Sequence, residues 1–157
     1  MNLAFSNGIK LKAENSAPVP GFAHTKLNLL LLEQRKRAEQ LAIRTEMRIA
    51  DVGRLPVSDE ALSVVLCALF DDAVHIASES EKKYLYSAIL VRSGQLLISM
   101  KASAGKISSP NEAADFADEN RAELSDIKEK SEKIGGNFVC SSEKGMICYT
   151  FCLGLFN

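Results

Sequence analysis

From Ser58 to Glu79 the chain carries one long helical signal, and it restricts what the rest can fold into. Leu62, Val65, Leu66, Leu69, Ala73 and Ile76 recur at three- and four-residue spacing, which makes a continuous apolar stripe on one side of a helix. Ser58, with Glu60 two residues later, marks its start, and the polar stretch Glu79 to Lys83 ends it. A stripe of that length has to be covered, so a second layer must pack on it. Beside it, Ala68, Asp72 and His75 fall at i, i+4 and i+7, with Asp71 adjacent. This polar edge has two readings: an ordinary solvated helix edge, or a ligand-facing one in which Asp71 and Asp72 hold Mg²⁺. Mg²⁺ takes oxygen ligands from one or two carboxylates plus phosphates.

The elements around this helix follow from periodicity. From Thr25, the expected N-cap, Leu27, Leu30, Leu31, Gln34, Ala38 and Leu41 share one helical face, while Glu33, Arg35, Lys36, Arg37 and Glu39 mostly take the other. Ile43, Thr45, Met47 and Ile49 alternate with charged residues, as in a half-buried strand, and Asp51 to Pro56 reads as a loop. Tyr84 to Arg92 and Gln95 to Lys101 read as strands joined at Ser93-Gly94. Ser109-Pro110-Asn111-Glu112 has the form of a capping box, so a third helix is expected from Ser109 to Ile134, stopped by Gly135-Gly136. Its expected inner face is Phe116, Ala117, Asn120, Leu124, Ile127, Ser131 and Ile134. Asn137 to Ser141 and Met146 to Leu155 then form a hairpin around Ser142 to Gly145. The order αβαββαββ predicts an α+β fold: a two-layer α/β sandwich with a mixed five-stranded sheet and three helices on one face. Residues 1–24, with an Asn7-Gly8 turn signal followed by Pro18, Pro20 and Gly21, read as an arm and linker, and 25–157 as one domain.

Composition removes several functional classes. A net charge of −1 with interspersed Lys/Arg and Asp/Glu leaves no basic patch for nucleic acid. Apolar runs such as Leu27 to Leu32 fall far short of the ~20 residues of a membrane span. Asn7, Lys10, Lys12 and Glu14 break up any signal-peptide core. The expectation is a soluble, cytoplasmic chain with no membrane segment. Its four cysteines have no CxxC spacing, and Cys148 and Cys152, four residues apart on a strand, stand ~13 Å apart, too far for one metal ion. They are expected as reduced thiols. Two histidines give no nucleophile–base–orienter set, which drops Ser-His and Cys-His hydrolases.

Three segments carry a family resemblance. Leu62 to Ala77 (LSVVLCALFDDAVHIA) resembles the N-box helix of GHKL, or Bergerat-fold, ATPases in its sensor histidine kinase form. Leu27 to Ile43 is similar to the first helix and strand entry of the quorum-sensing kinases, and Leu124 to Asn137 to the helix after the second glycine box. The resemblance spans roughly residues 25 to 155 and implies a histidine-kinase-like ATP-binding domain of a bacterial two-component signalling protein, with ATP and Mg²⁺ as cofactors. Onto its motifs fall Asp71, Asp72, His75, Ala102 and Arg121 as cofactor-binding positions, with Asp72 the metal ligand.

The departures fall on the same motifs. Ala68 and Asp72 stand where the family has Asn, His75 where an acidic residue is common, and Ala102 where a polar residue borders the adenine. The second glycine box falls at Asn120-Arg121-Ala122-Glu123-Leu124, without either glycine. Glycines there let backbone N–H groups approach phosphates. Their loss, with no glycine between Lys106 and Ile134, predicts an ordered helix in place of a flexible ATP lid, with Arg121 and Glu123 inside it. Neither His24 nor His75 has the setting of a phospho-acceptor. The readings are a catalytic domain with weakened or lost ATP binding, a non-catalytic pseudo-ATPase scaffold, or an anti-sigma-factor-type Ser/Thr kinase. Expected partners are a signalling protein or a preceding dimerisation or sensor domain, or a second copy in a homodimer.

Overall fold

The structure, a computed structural model, describes residues 24–155, so the Asn7-Gly8 turn lies outside the described residues. The elements run α1 (Thr25–Gln40), β1 (Arg44–Ile49), α2 (Asp59–Glu79), β2 (Tyr84–Arg92), β3 (Gln95–Ser103), a 3₁₀ turn (Pro110–Glu112), α3 (Ala113–Phe116), α4 (Ala122–Lys133), β4 (Asn137–Glu143) and β5 (Met146–Gly154). The five strands form one mixed sheet in the order β1-β2-β3-β5-β4, with β1 parallel to β2 and the other pairs antiparallel. This is the α+β sandwich that the periodicity predicts.

Alternation along the strands sets the inner face. Leu85 and Ile89 of β2, Leu96, Ile98, Met100 and Ala102 of β3, Ile147, Tyr149, Phe151 and Leu153 of β5 and Phe138 of β4 are all buried. The register aligns them in rows, for example Leu85, Ala102 and Ile147. Onto this face packs the α2 stripe, Leu62, Val65, Leu66, Leu69, Ala73 and Ile76, all nearly inaccessible. Full burial of such side chains contributes about 1.5–3 kcal/mol each. By length and composition alone α2 is long and apolar enough to cross a bilayer, although no uninterrupted apolar run in it approaches that length. Its apolar face is buried in the protein core, and Asp71 and Asp72 break the apolar sequence on the neighbouring edge.

Helix α1 lies beside α2 in the same direction: Lys26 pairs with Glu60 and Arg37 with Asp71, and both pairs are separated by 34 residues. Residue 25 is the first helical residue rather than the cap. The cap position is His24, whose ring contacts Asp59 Oδ1 at 3.0 Å and the Gly53 carbonyl, tying the starts of α1 and α2 together. Leu41, expected on the inner face, is 44% exposed because the helix ends before it. On α2, Ser58 caps as expected, its hydroxyl accepting from the Ala61 amide at 3.1 Å.

The expected 109–134 helix is broken. Ser109 makes no side-chain cap bond, a single 3₁₀ turn and a four-residue helix follow, and α4 starts only at Ala122. Local polar groups compete with the helix here. Asp118 Oδ1 accepts from the Asn120 amide at 2.9 Å, and the Asp118 carbonyl accepts from the Arg121 amide at 2.9 Å. Asn120 is therefore exposed, while Leu124, Ile127 and Ser131 are buried on α4 as expected. Arg121 is the N-cap residue and Glu123 sits in the first turn, so neither occupies a helix interior. The helix stops at Gly135-Gly136, whose amides donate to Glu132 and Ser131. A Cβ at Gly136 would stand 2.3 Å from Phe151 Cε1, so any side chain there would force the Phe151 ring to shift. The last hairpin is also tighter than expected. β4 runs to Glu143, leaving the two-residue turn Lys144-Gly145, both at positive φ.

Candidate functional site

The polar edge of α2 faces α4 across a groove. A cavity of about 220 Å³ lies there, lined by Ala68, Asp71, Asp72 and His75 from α2 and Glu123, Asp126, Ile127 and Lys130 from α4. At its inner end the buried carboxylate of Asp72 pairs with the half-buried Arg121. The guanidinium of Arg121 donates from Nη1 to Asp72 Oδ1 at 2.8 Å and from Nη2 to Oδ2 at 2.7 Å, a two-point fork. Tyr149 reaches up from β5, and its hydroxyl donates to the same Oδ2 at 2.7 Å. Arg121 Nε donates to the Phe116 carbonyl at 2.8 Å, and Nη1 also to Glu123 Oε1 at 3.2 Å. The Asp72 side chain is only 4% exposed and that of Arg121 19%.

Each element contributes for a local reason. Helical spacing puts Asp72 at the border between core and edge. The inward register of β5 brings Tyr149 beneath it, and the break at 117–121 delivers Arg121 from above. The electrostatics agree with this placement. The hydrogen bonds to Asp72 hold the Arg121 guanidinium even further above its ordinary value, against the opposing effect of burial. Burial, and then the charge of Asp72, hold the Tyr149 phenol well above its usual range. Cys140, on the same inner side, is pushed up to about 12 by burial.

Of the residues nominated from sequence, the structure joins Asp72 and Arg121 directly. Asp71 is turned to Arg37 of α1 at 2.6 Å, and His75 is exposed on the groove rim with Glu79 at 3.6 Å. Ala102 is not part of the groove. It is fully buried in the sheet between Leu85 and Ile147. Tyr149 was missed. Its signal was a lone phenol among the inward-facing Ile147, Phe151 and Leu153, since a buried Tyr hydroxyl needs a partner.

These residues do not fit a bound Mg²⁺. Both Asp72 oxygens already accept from a guanidinium, and one also from a phenol, whereas Mg²⁺ demands near-ideal octahedral oxygen ligation at close range. A cation at Asp72 would also face the charge of Arg121. No group of three His, Cys, Asp or Glu side chains suited to a metal occurs among the described residues. The rest of the groove carries Asp71, Glu123 and Asp126 against Lys130, which disfavours phosphates. Its volume lies below the ~300 Å³ at which small-molecule sites usually begin.

With the five-stranded sheet, the parallel helix pair and the α2–α4 groove in place, the chain can be set beside solved structures. Its fold is that of a histidine kinase catalytic domain. The Acinetobacter baumannii histidine kinase AdeS superposes with a TM-score of 0.64 at 15% identity, over 85% of this chain and 64% of that one. The catalytic domain of histidine kinase ThkA, in a nucleotide-free form, superposes with a TM-score of 0.61 at 15% identity, over 82% of this chain and 92% of that one. A second nucleotide-free form of ThkA gives 0.60 with the same identity and coverage. The chain thus spans less than two thirds of the AdeS structure it matches. No family model and no curated protein matches it.

Proposed function

We propose that this chain is a pseudo-ATPase: a histidine kinase catalytic fold that works as a nucleotide-independent interaction module in a bacterial signalling protein. One observation carries the reading. Arg121 occupies both oxygens of Asp72, the one nominated metal ligand, and so an internal cation stands where a bound one would be needed. The burial of Ala102 and the acidic groove are in keeping with it.

The chemistry of the pair explains how the fold dispenses with a ligand. In an ATP-dependent domain of this fold, nucleotide and metal would hold the segment before α4 against α2. Here Arg121 does so, reaching Phe116 on one side and Asp72 on the other. The partner would be a signalling protein, a neighbouring dimerisation or sensor domain, or a second copy, and the domain would act in the cytoplasm. Melting curves with millimolar Mg·ATP and Mg·ADP test the reading. Unchanged melting temperatures are expected. A saturable rise, which at a ligand concentration one hundred times Kd is worth about 2.7 kcal/mol, would restore the ATP-binding reading.

A further inference from the structure

A second cavity, at the opposite pole of charge, has no role in the proposed function. It holds about 140 Å³ at the edge formed by the start of β2, the end of β3 and the β4–β5 turn. Lys82, Lys106 and Lys144 line it, along with Ile107, Pro110 and Met146, and no Asp or Glu does. The three lysines are far apart in sequence, and the sheet register gathers them by setting Leu85, Ala102 and Ile147 side by side.

The frame is held by hydrogen bonds. The Ala104 amide donates to the Gly145 carbonyl at 3.0 Å and the Glu81 amide to the Gly105 carbonyl at 2.9 Å. The Ile107 amide donates to Glu81 Oε1 at 2.8 Å, which gives that carboxylate a backbone partner. The Glu112 side chain packs against Gly105 without itself lining the cavity. None of the three lysines is in an ion pair among the described residues. The Lys82 ammonium instead lies 5.3 Å from the centre of the Tyr84 ring. Beside these cations stands Ile107, 70% exposed, the most exposed of the large apolar residues in the described chain. A site with three unpaired cations and an uncovered apolar rim suits a ligand with one strongly charged end and one apolar end.

We infer that this cavity binds a small phosphate monoester, its phosphoryl group held by Lys82, Lys106 and Lys144 and its organic part resting on Ile107. A monoester is largely a dianion at neutral pH, its second pKa being about 6. The inference is independent of the pseudo-ATPase reading, because Arg121 and Asp72 lie in the other groove.

Phenyl phosphate is the probe, titrated into isotope-labelled protein at fixed ionic strength and followed by amide chemical shifts. The expected result is saturable binding with a Kd of about 1 mM, with shifts centred on residues 103–107 and 144–146. Lys82→Gln/Lys106→Gln/Lys144→Gln should weaken it at least about tenfold. Ile107→Ser should weaken phenyl phosphate but leave inorganic phosphate unchanged. Shifts that never saturate, or binding that survives the triple lysine substitution, overturns the inference. Shifts centred on α2 instead, with none on residues 103–107 and 144–146, would place the anion in the other groove and overturn the inference.

Discussion

The α2–α4 groove and the β3–β5 cavity lie on one scaffold and differ in sign and in state. The groove is acidic at its rim, and its inner carboxylate is committed to an arginine at two points and a tyrosine at a third. The cavity is basic, and its lysines have no carboxylate partner among the described residues. In the groove the polar groups satisfy one another, which makes it part of the folding unit. Charges in the cavity are left to solvent, which makes them available to a ligand and nearly irrelevant to stability. Committed groups hold a fold together, whereas uncommitted groups can respond to something outside it.

Mutation can break that contrast, and the largest effect belongs to the groove. Arg121→Ala leaves the buried Asp72 charge with only a phenol, and loss of one partner from a buried pair costs about 3–5 kcal/mol. Urea denaturation should show this, with Asp72→Ala/Arg121→Ala losing less than the sum of the two single substitutions. Gly136→Ala comes next. Its methyl group would meet the Phe151 ring, and overpacking of this kind costs about 1–3 kcal/mol by the same measurement. Ser58→Ala, which removes the α2 cap, should cost about 1 kcal/mol. The triple lysine substitution should leave stability unchanged within about 0.5 kcal/mol, as surface changes away from special features do. A large loss there would erase the distinction between the two regions.

Alkaline pH sharpens the same comparison. Cys140 and Tyr149 both have folded-state pKa values above their unfolded values, because burial penalises the charged forms. The unfolded chain therefore loses protons first, so their contribution is complete below the unfolded pKa and declines as pH rises past it. Stability should begin to fall near about pH 9 through Cys140 and fall further above about pH 10 through Tyr149. Melting curves of Cys140→Ser should show a smaller first decline, the remainder coming from Cys67 and Cys148, whose thiols burial also raises, and those of Tyr149→Phe a smaller second decline, the remainder coming from Tyr84.

The fold was legible in the sequence because repeated burial writes repeated spacing. The α2 stripe, the strand alternations and the Ser93-Gly94 turn each reflect many residues facing one way. Where one residue decided the outcome, legibility failed. The helix expected over 109–134 breaks because Asp118 and Arg121 offer competing bonds, one of them to a residue 49 positions away. The site was half legible. Spacing on α2 brought out Asp72, and the glycine-box position brought out Arg121, but nothing local says that the two are partners. Ala102 is an inward, buried residue of β3, and strand alternation alone does not separate a small core residue from one that borders a ligand. The lysine cavity left no sequence signal, because its members meet only through sheet register.

The central claim is that Arg121 holds the place of a metal at Asp72. Paramagnetic Mn²⁺ titrated into isotope-labelled protein, with and without ADP, tests it most directly, because line broadening reports proximity to the ion residue by residue. The account predicts no selective broadening of the amides of α2 from Ala68 to His75. Selective, saturable broadening centred on Asp72 would show that a cation competes with Arg121 there, and would contradict it.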